Sequence, residues 1–286
     1  MKKIGFIDYY LSEWHANNYP NWINDICRDS GKDYKVAYAY AEREVSPRDN
    51  VTTDKWCSKF GAERCDSIEE ICEKSDFLFI LAPDTPQKHL EYAQKALVYG
   101  KPTYIDKTFA PNLEEAKAIF EIARKHKTPM FSTSALRCAE ELDRFSAPVY
   151  SVITTGGGMS LEVYIIHQIE MIERLMGVGA KRVMSLSGGR NASLAIDCGG
   201  GRNAVINFSN SFGFSISVEG EKAADKPSVY LPITSKFFIN MLVRILEMFE
   251  TKKPYVEEEH TLEVMAIRDA CMKSQRNLYE WTEVIR

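Results

Sequence analysis

No apolar run in this 286-residue sequence approaches the roughly 20 residues needed to cross a bilayer, so no membrane-spanning helix is expected. The opening residues MKKIGFIDYY pass straight into a strand pattern without the apolar core of a signal peptide, and a cytoplasmic protein is expected. Cysteine is sparse and scattered. Cys27, Cys57, Cys65, Cys72, Cys138, Cys198 and Cys271 are odd in number and never form a CxxC pair, which argues against a disulfide framework or a zinc knuckle. Charge of one sign is lacking too: 36 basic against 40 acidic residues leave a net charge of -4, which offers no footprint for nucleic acid or an anionic membrane. Repeats and low-complexity tracts are absent. What remains is a globular composition, 45% hydrophobic and 27% charged, best suited to small-molecule partners.

Two grammars divide the chain. Apolar runs at 3–7, 35–41, 77–82, 102–105 and 128–133 predict strands, and the stretches 18–28, 67–74, 86–99 and 113–125 between them predict helices. Leu90, Ala93, Ala96 and Leu97, for example, recur at helical spacing. Strands joined by helices predict a parallel, doubly wound sheet. Beyond residue 148 the runs 149–154, 180–188, 192–198, 204–210 and 214–219 are separated by turn signals such as Gly199-Gly200-Gly201, which predicts a large open, mostly antiparallel sheet. A helix over 161–176, ended by Gly177, interrupts that sheet, and helices over 235–251 and 261–275 close the chain. The expectation is an α/β chain of two domains, 1–134 and 135–286, the second of α+β type.

Chemistry-bearing residues fall at the predicted strand ends. Lys107 follows the strand at 102–105, at the carboxyl edge where open α/β sheets bind ligands, although position alone equally allows a solvated loop lysine. Ala82, Pro83 and Asp84 end the preceding strand, and His89 on the next helix either faces the cleft or belongs to an ordinary strand-to-helix turn. On the helix at 161–176, Tyr164, His167 and Glu170 are spaced by three and share one face. A histidine, starting near pKa ~6.5, suits removal of a hydroxyl proton. The competing reading is a packed histidine among Ile165, Ile166 and Ile169. His167 and Glu170 form an H-x-x-E pair with no further ligand cluster, so no metal is expected.

The run from Pro86 to Glu141, PQKHLEYAQKALVYGKPTYIDKTFAPNLEEAKAIFEIARKHKTPMFSTSALRCAEE, resembles the glucose-fructose oxidoreductase, inositol dehydrogenase and MocA (Gfo/Idh/MocA) family, whose members carry a similar run through an E-K-P motif. The segment GGGMSLEVYIIHQIEMIERLMG resembles the helix that carries that family's active-site histidine. The resemblance implies a Rossmann-like first domain binding NAD or NADP, and a second domain for substrate binding and assembly into a homodimer or homotetramer. It implies Lys107, His167 and Tyr164 as the catalytic group, acting on a carbohydrate-like compound such as a sugar or cyclitol. Cofactor contacts then fall to Ile7, Asp8, Ser12, His15, Glu42, Arg43, Ala82, Pro83, Asp106 and Lys107.

Glycine is what the first βα turn lacks. Where G-x-G-x-x-G would give a tight turn and close approach to a diphosphate, KIGFIDYYLSEWHANNYPNWI carries Asp8, Tyr10 and Glu13. E-K-P has become Asp106-Lys107-Thr108, and the second strand ends near Glu42 and Arg43, either of which suits a ribose or its phosphate. Ser12 and His15 read as phosphate ligands or as capping and surface groups. The main functional expectation is an NAD(P)-dependent oxidoreductase acting on a sugar, cyclitol or related polyol or keto compound. The alternatives are a cofactor-free ligand-binding or regulatory protein on the same fold, and an NAD-using lyase or hydrolase without net redox.

Overall fold

Parallel strands covered on both faces read as unbroken apolar runs, and the first strand is buried from Ile4 to Asp8. The computed structural model describes residues 1–145, 148–220, 228–232, 234 and 236–286. The chain divides into two compact units, Met1–Ser132 with Leu242–Glu257, and Thr133–Met241 with Glu258–Arg286.

The first unit runs β1 (Lys2–Asp8), α1 (Trp14–Ser30), β2 (Tyr34–Ala41), α2 (Thr53–Phe60), β3 (Glu63–Arg64), α3 (Ile68–Lys74), β4 (Phe77–Ile80), α4 (His89–Ala96), β5 (Thr103–Ile105), α5 (Leu113–His126) and β6 (Met130–Phe131). Its six strands lie in the order β3-β2-β1-β4-β5-β6, all parallel, so the order reverses between β1 and β4. That reversal opens a crevice at the carboxyl ends of the strands. Gly5 in β1 is required by close approach: a Cβ there would stand 2.3 Å from Ser75 Oγ and 2.8 Å from Ile71 Cγ1. Residues 242–257 complete this unit. Phe249 stacks on Phe77 at 4.6 Å between centroids and meets Phe79 edge-on at 5.6 Å, while Glu250 accepts from Lys32 Nζ at 2.6 Å and Tyr34 OH at 3.2 Å.

The second unit contains β7 (Val149–Gly156), α6 (Leu161–Met176), β8 (Arg182–Ser187), β9 (Asn191–Asp197), β10 (Asn203–Ser209), β11 (Phe214–Gly220) and β12 (Ser228–Leu231). After α7 (Phe237–Thr251) come α8 (Glu258–Ser274) and β13 (Trp281–Glu283). The seven-stranded sheet has the order β12-β11-β7-β10-β9-β8-β13, antiparallel throughout except where β7 and β10 run parallel. Val152, Ala204, Ile196 and Val183 face inward and are buried, and α6 packs on β7 and β10. One register row crosses the outward face as Ser217, Ile153, Val205, Ala195, Met184 and Trp281.

Element boundaries move where caps decide them. α1 begins at Trp14 rather than at 18, because Glu13 supplies an N-cap acceptor, and Pro20 is carried inside the helix. The expected helix at 235–251 is seen from Phe237, and Ser235 lies outside the described residues. Among the described residues no helix is long and apolar enough to cross a membrane, and no cluster of His, Cys, Asp and Glu has metal-holding geometry.

Candidate active site

The first unit gathers polar groups at the carboxyl ends of β1, β4 and β5. Asp8, the last residue of β1, is buried, and its Oδ1 accepts from Tyr9 N at 2.7 Å and from Ala82 N at 3.1 Å, tying β1 to the end of β4. Ile7 lies fully buried within β1, with its backbone in the sheet. Asp106, just past β5, accepts from Tyr104 OH at 3.1 Å and Lys107 N at 2.9 Å, and pairs with His15 Nδ1. The His15 ring stacks on Tyr19 at 5.2 Å.

Glu13 is buried at the head of α1. Its Oε2 accepts from His15 N at 2.7 Å and its Oε1 from Ala16 N, so the carboxylate serves amides that have no partner within the helix. Burial holds the Asp8 and Glu13 carboxyls above the usual range, helped at Asp8 by repulsion from Glu13 and opposed at Glu13 by His15. Asp106 is also pushed up by burial, but His15 and Lys107 outweigh that and hold it below the usual range.

The loop after β2 is lashed to this turn. Tyr10 OH donates to Asp84 at 3.0 Å, Arg48 Nε donates to Tyr10 OH at 3.0 Å, and the Arg48 guanidinium pairs with Asp84. Ser12 Oγ donates to Asp49 at 2.7 Å, and Ser46 Oγ donates to the Ser12 carbonyl at 3.0 Å. Arg43 N donates to the Tyr9 carbonyl at 2.8 Å, and the Glu42 carboxylate accepts from Tyr92 OH and Lys88 Nζ, each at 2.8 Å. Pro83 is buried beside Ala82, while Lys107 is half-buried. His89 does not face a cleft. Its ring is fully buried, with Nε2 2.6 Å from the Leu81 carbonyl oxygen and Nδ1 3.0 Å from that of Phe109, so it clips the end of β4 to the loop that follows Lys107.

The second unit holds the other expected residues. His167 is half-buried on α6, and its Nδ1 lies 2.6 Å from Ser134 Oγ. Glu170, one turn on, is buried; it accepts from Ser134 N at 3.0 Å, Thr133 Oγ1 at 3.3 Å and Arg137 Nη1 at 3.0 Å. Arg137 also meets Glu173 at 2.5 Å, and Glu173 meets His260 Nδ1 at 2.5 Å. Burial pushes the Glu170 carboxyl up, against the pull of Arg137. The two glutamates outweigh burial in raising Arg137 and keep it charged. Tyr164 and Phe214 flank the His167 ring at 5.6 and 5.5 Å, and a Cβ at Gly158 would lie 2.2 Å from the Tyr164 ring, so the glycine lets that ring settle on the backbone.

The first unit thus brings together Asp8, Ser12, His15, Ala82 and Asp106, and the second brings His167, Tyr164 and Glu170 together. Ser134 and Arg48 escaped the sequence reading, because both act over long sequence separations with no local signature. Glu13 was visible as a misplaced charge, yet its capping role was not, since shorter side chains are the usual caps.

A dinucleotide bound at this edge needs the amides that open α1 and room for its diphosphate against the turn. Here the His15 and Ala16 amides are taken by Glu13, and the Asp8, Tyr10 and Glu13 side chains are packed into the turn itself. In this arrangement the turn does not fit a diphosphate.

Comparison with known proteins follows the fold. Residues 27–133 match the Gfo/Idh/MocA family, described as an oxidoreductase family with an NAD-binding Rossmann fold. No curated protein sequence matches the chain. An NAD-binding oxidoreductase from Klebsiella pneumoniae superposes with a TM-score of 0.80 at 14% identity, covering 100% of this chain and 99% of that one. Myo-inositol dehydrogenase from Lactobacillus casei, solved with NAD(H) and myo-inositol, gives 0.77 at 13%, covering 100% and 97%. Levoglucosan dehydrogenase, solved with NADH and levoglucosan, gives 0.78 at 12%, covering 100% of both chains. At these identities the structural likeness establishes the fold alone.

Proposed function

We propose that this chain, a Gfo/Idh/MocA protein by its matched segment, is an NAD(P)-linked oxidoreductase acting on a sugar, cyclitol or related polyol or keto compound. The observation that carries the reading is the support built around His167: Ser134 Oγ at its Nδ1, with Ser134 fixed through its own amide by Glu170. In the tautomer whose Nδ1–H donates to Ser134 Oγ, Nε2 is left as a base for a substrate hydroxyl proton. The protonated ring returns that proton in the reverse direction. Tyr164 beside the ring supports this transfer.

Replacing His167 with Asn is expected to lower turnover by about 10²- to 10⁴-fold without lowering the unfolding temperature. The measurement is the change in NADH or NADPH absorbance over a panel of polyols and their keto forms at millimolar dinucleotide. No substrate-dependent change with folded wild-type protein would sink the reading. A ligand-binding role without dinucleotide is the second reading, favoured by the occupied head of α1. It expects a polyol to raise the unfolding temperature of wild type while no turnover is seen. In either reading the outward face of the seven-stranded sheet is assigned to self-association as a homodimer or homotetramer, supported by exposed Ile153 and Trp281 in its central row.

A further inference from the structure

We infer that Glu13 is a resident anion at the head of α1, standing where a dinucleotide's diphosphate would be held, and that a dinucleotide gains the turn only by displacing it. Helix α1 is 17 residues long, so its first amides carry a full partial positive charge and demand an acceptor. Glu13 meets that demand with both carboxylate oxygens, from an extended N-cap backbone at φ -129° and ψ 173°. The residue is 2% exposed, so it is part of the packed turn rather than a surface group.

Two further observations make the carboxylate a competitor rather than a simple cap. Asp8 and Asp106 are buried beside it, and among the described residues Asp8 Oδ2 has no hydrogen-bond donor. A diphosphate entering here would meet carboxylates where related turns offer glycine backbone. The contacts of Tyr10, Arg48 and Asp84, and of Ser12 and Asp49, hold the turn in the shape that keeps Glu13 on the amides. The inference rests on the oxidoreductase reading only for the identity of the displaced anion.

Its test is equilibrium binding of NADH and NADPH to the full chain, by calorimetry at fixed pH and salt. Glu13→Gly frees the amides and is expected to bind dinucleotide at least tenfold more tightly than wild type, about 1.4 kcal/mol. Glu13→Gln keeps an acceptor on the helix but removes the charge, and is expected to gain about threefold, a smaller step than the glycine gives. Glu114→Gln, a neutralisation on the exposed first turn of α5, should leave affinity unchanged. Wild type binding as tightly as a folded Glu13→Gly overturns the inference. Should the glycine variant fail to fold, as judged by circular dichroism, Glu13→Gln decides alone, and no gain there overturns it. Tighter binding by the variants with no polyol turnover keeps the inference and removes the oxidoreductase reading. Tight wild-type binding with turnover does the reverse.

Discussion

Asp106 pairs with the His15 imidazole, Glu13 feels the same ring, and Asp8 feels both carboxylates, so their protonation is divided by what each one touches. Burial and then Glu13 raise the Asp8 carboxyl, so the folded chain binds that proton more tightly than the unfolded chain does. The resulting stabilisation is full below the ordinary carboxyl pKa of about 4 and is lost as pH rises through the raised value. Asp106 works in the opposite sense: its lowered pKa contributes stability above about 4 that disappears as pH falls. Asp8→Asn keeps an acceptor for Tyr9 and Ala82 while discarding the charge. Relative to wild type, the variant should gain more in unfolding temperature near about pH 8 than near about pH 4.5. Equal shifts at the two pH values would contradict this assignment. At this scale the positions of Lys107 past β5 and of His167 on α6 were legible because each ends or rides an element with a strong pattern. Ser134, which holds His167 across 33 positions of sequence, left no local trace.

Among the elements, β1 and α3 approach each other at Gly5 with no room for a side chain. A methyl group at Gly5 would collide with Ser75 Oγ and Ile71, and the backbone of the strand has no freedom to withdraw. Gly5→Ala is therefore expected to cost about 1–3 kcal/mol, read as a lower denaturant midpoint with an unchanged slope. An unaltered midpoint would show that α3 shifts at little cost. Strand and helix grammar was readable here because periods of two and of 3.6 are local properties of the sequence. The start of α1 was not. A long acidic side chain rather than Ser, Thr, Asp or Asn supplies the cap, and Pro20 lies in the helix interior, so the helix reads shorter than it is.

For the molecule as a whole, the seven-stranded sheet leaves a face whose central row runs Ser217, Ile153, Val205, Ala195, Met184, Trp281. Ile153 is 45% and Trp281 42% exposed. If this face joins subunits, Ile153→Arg should convert the assembly to monomer in light scattering at micromolar concentration while leaving circular dichroism unchanged. A monomeric wild type at that concentration would dismiss the assignment. The change of grammar after residue 148 suggests two domains, 1–134 and 135–286, but carries no signal for the return of residues 242–257 to the first unit. Phe249 and Glu250 find partners at least 170 positions earlier, in Phe77, Phe79, Tyr34 and Lys32. That return sets when the first unit can close during synthesis. As the chain leaves the ribosome, the six-stranded sheet is complete once Phe131 has emerged, yet the aromatic patch at Phe77 and Phe79 stays uncovered until Phe249 follows. The unit begun first therefore closes its core only after most of the other has been made.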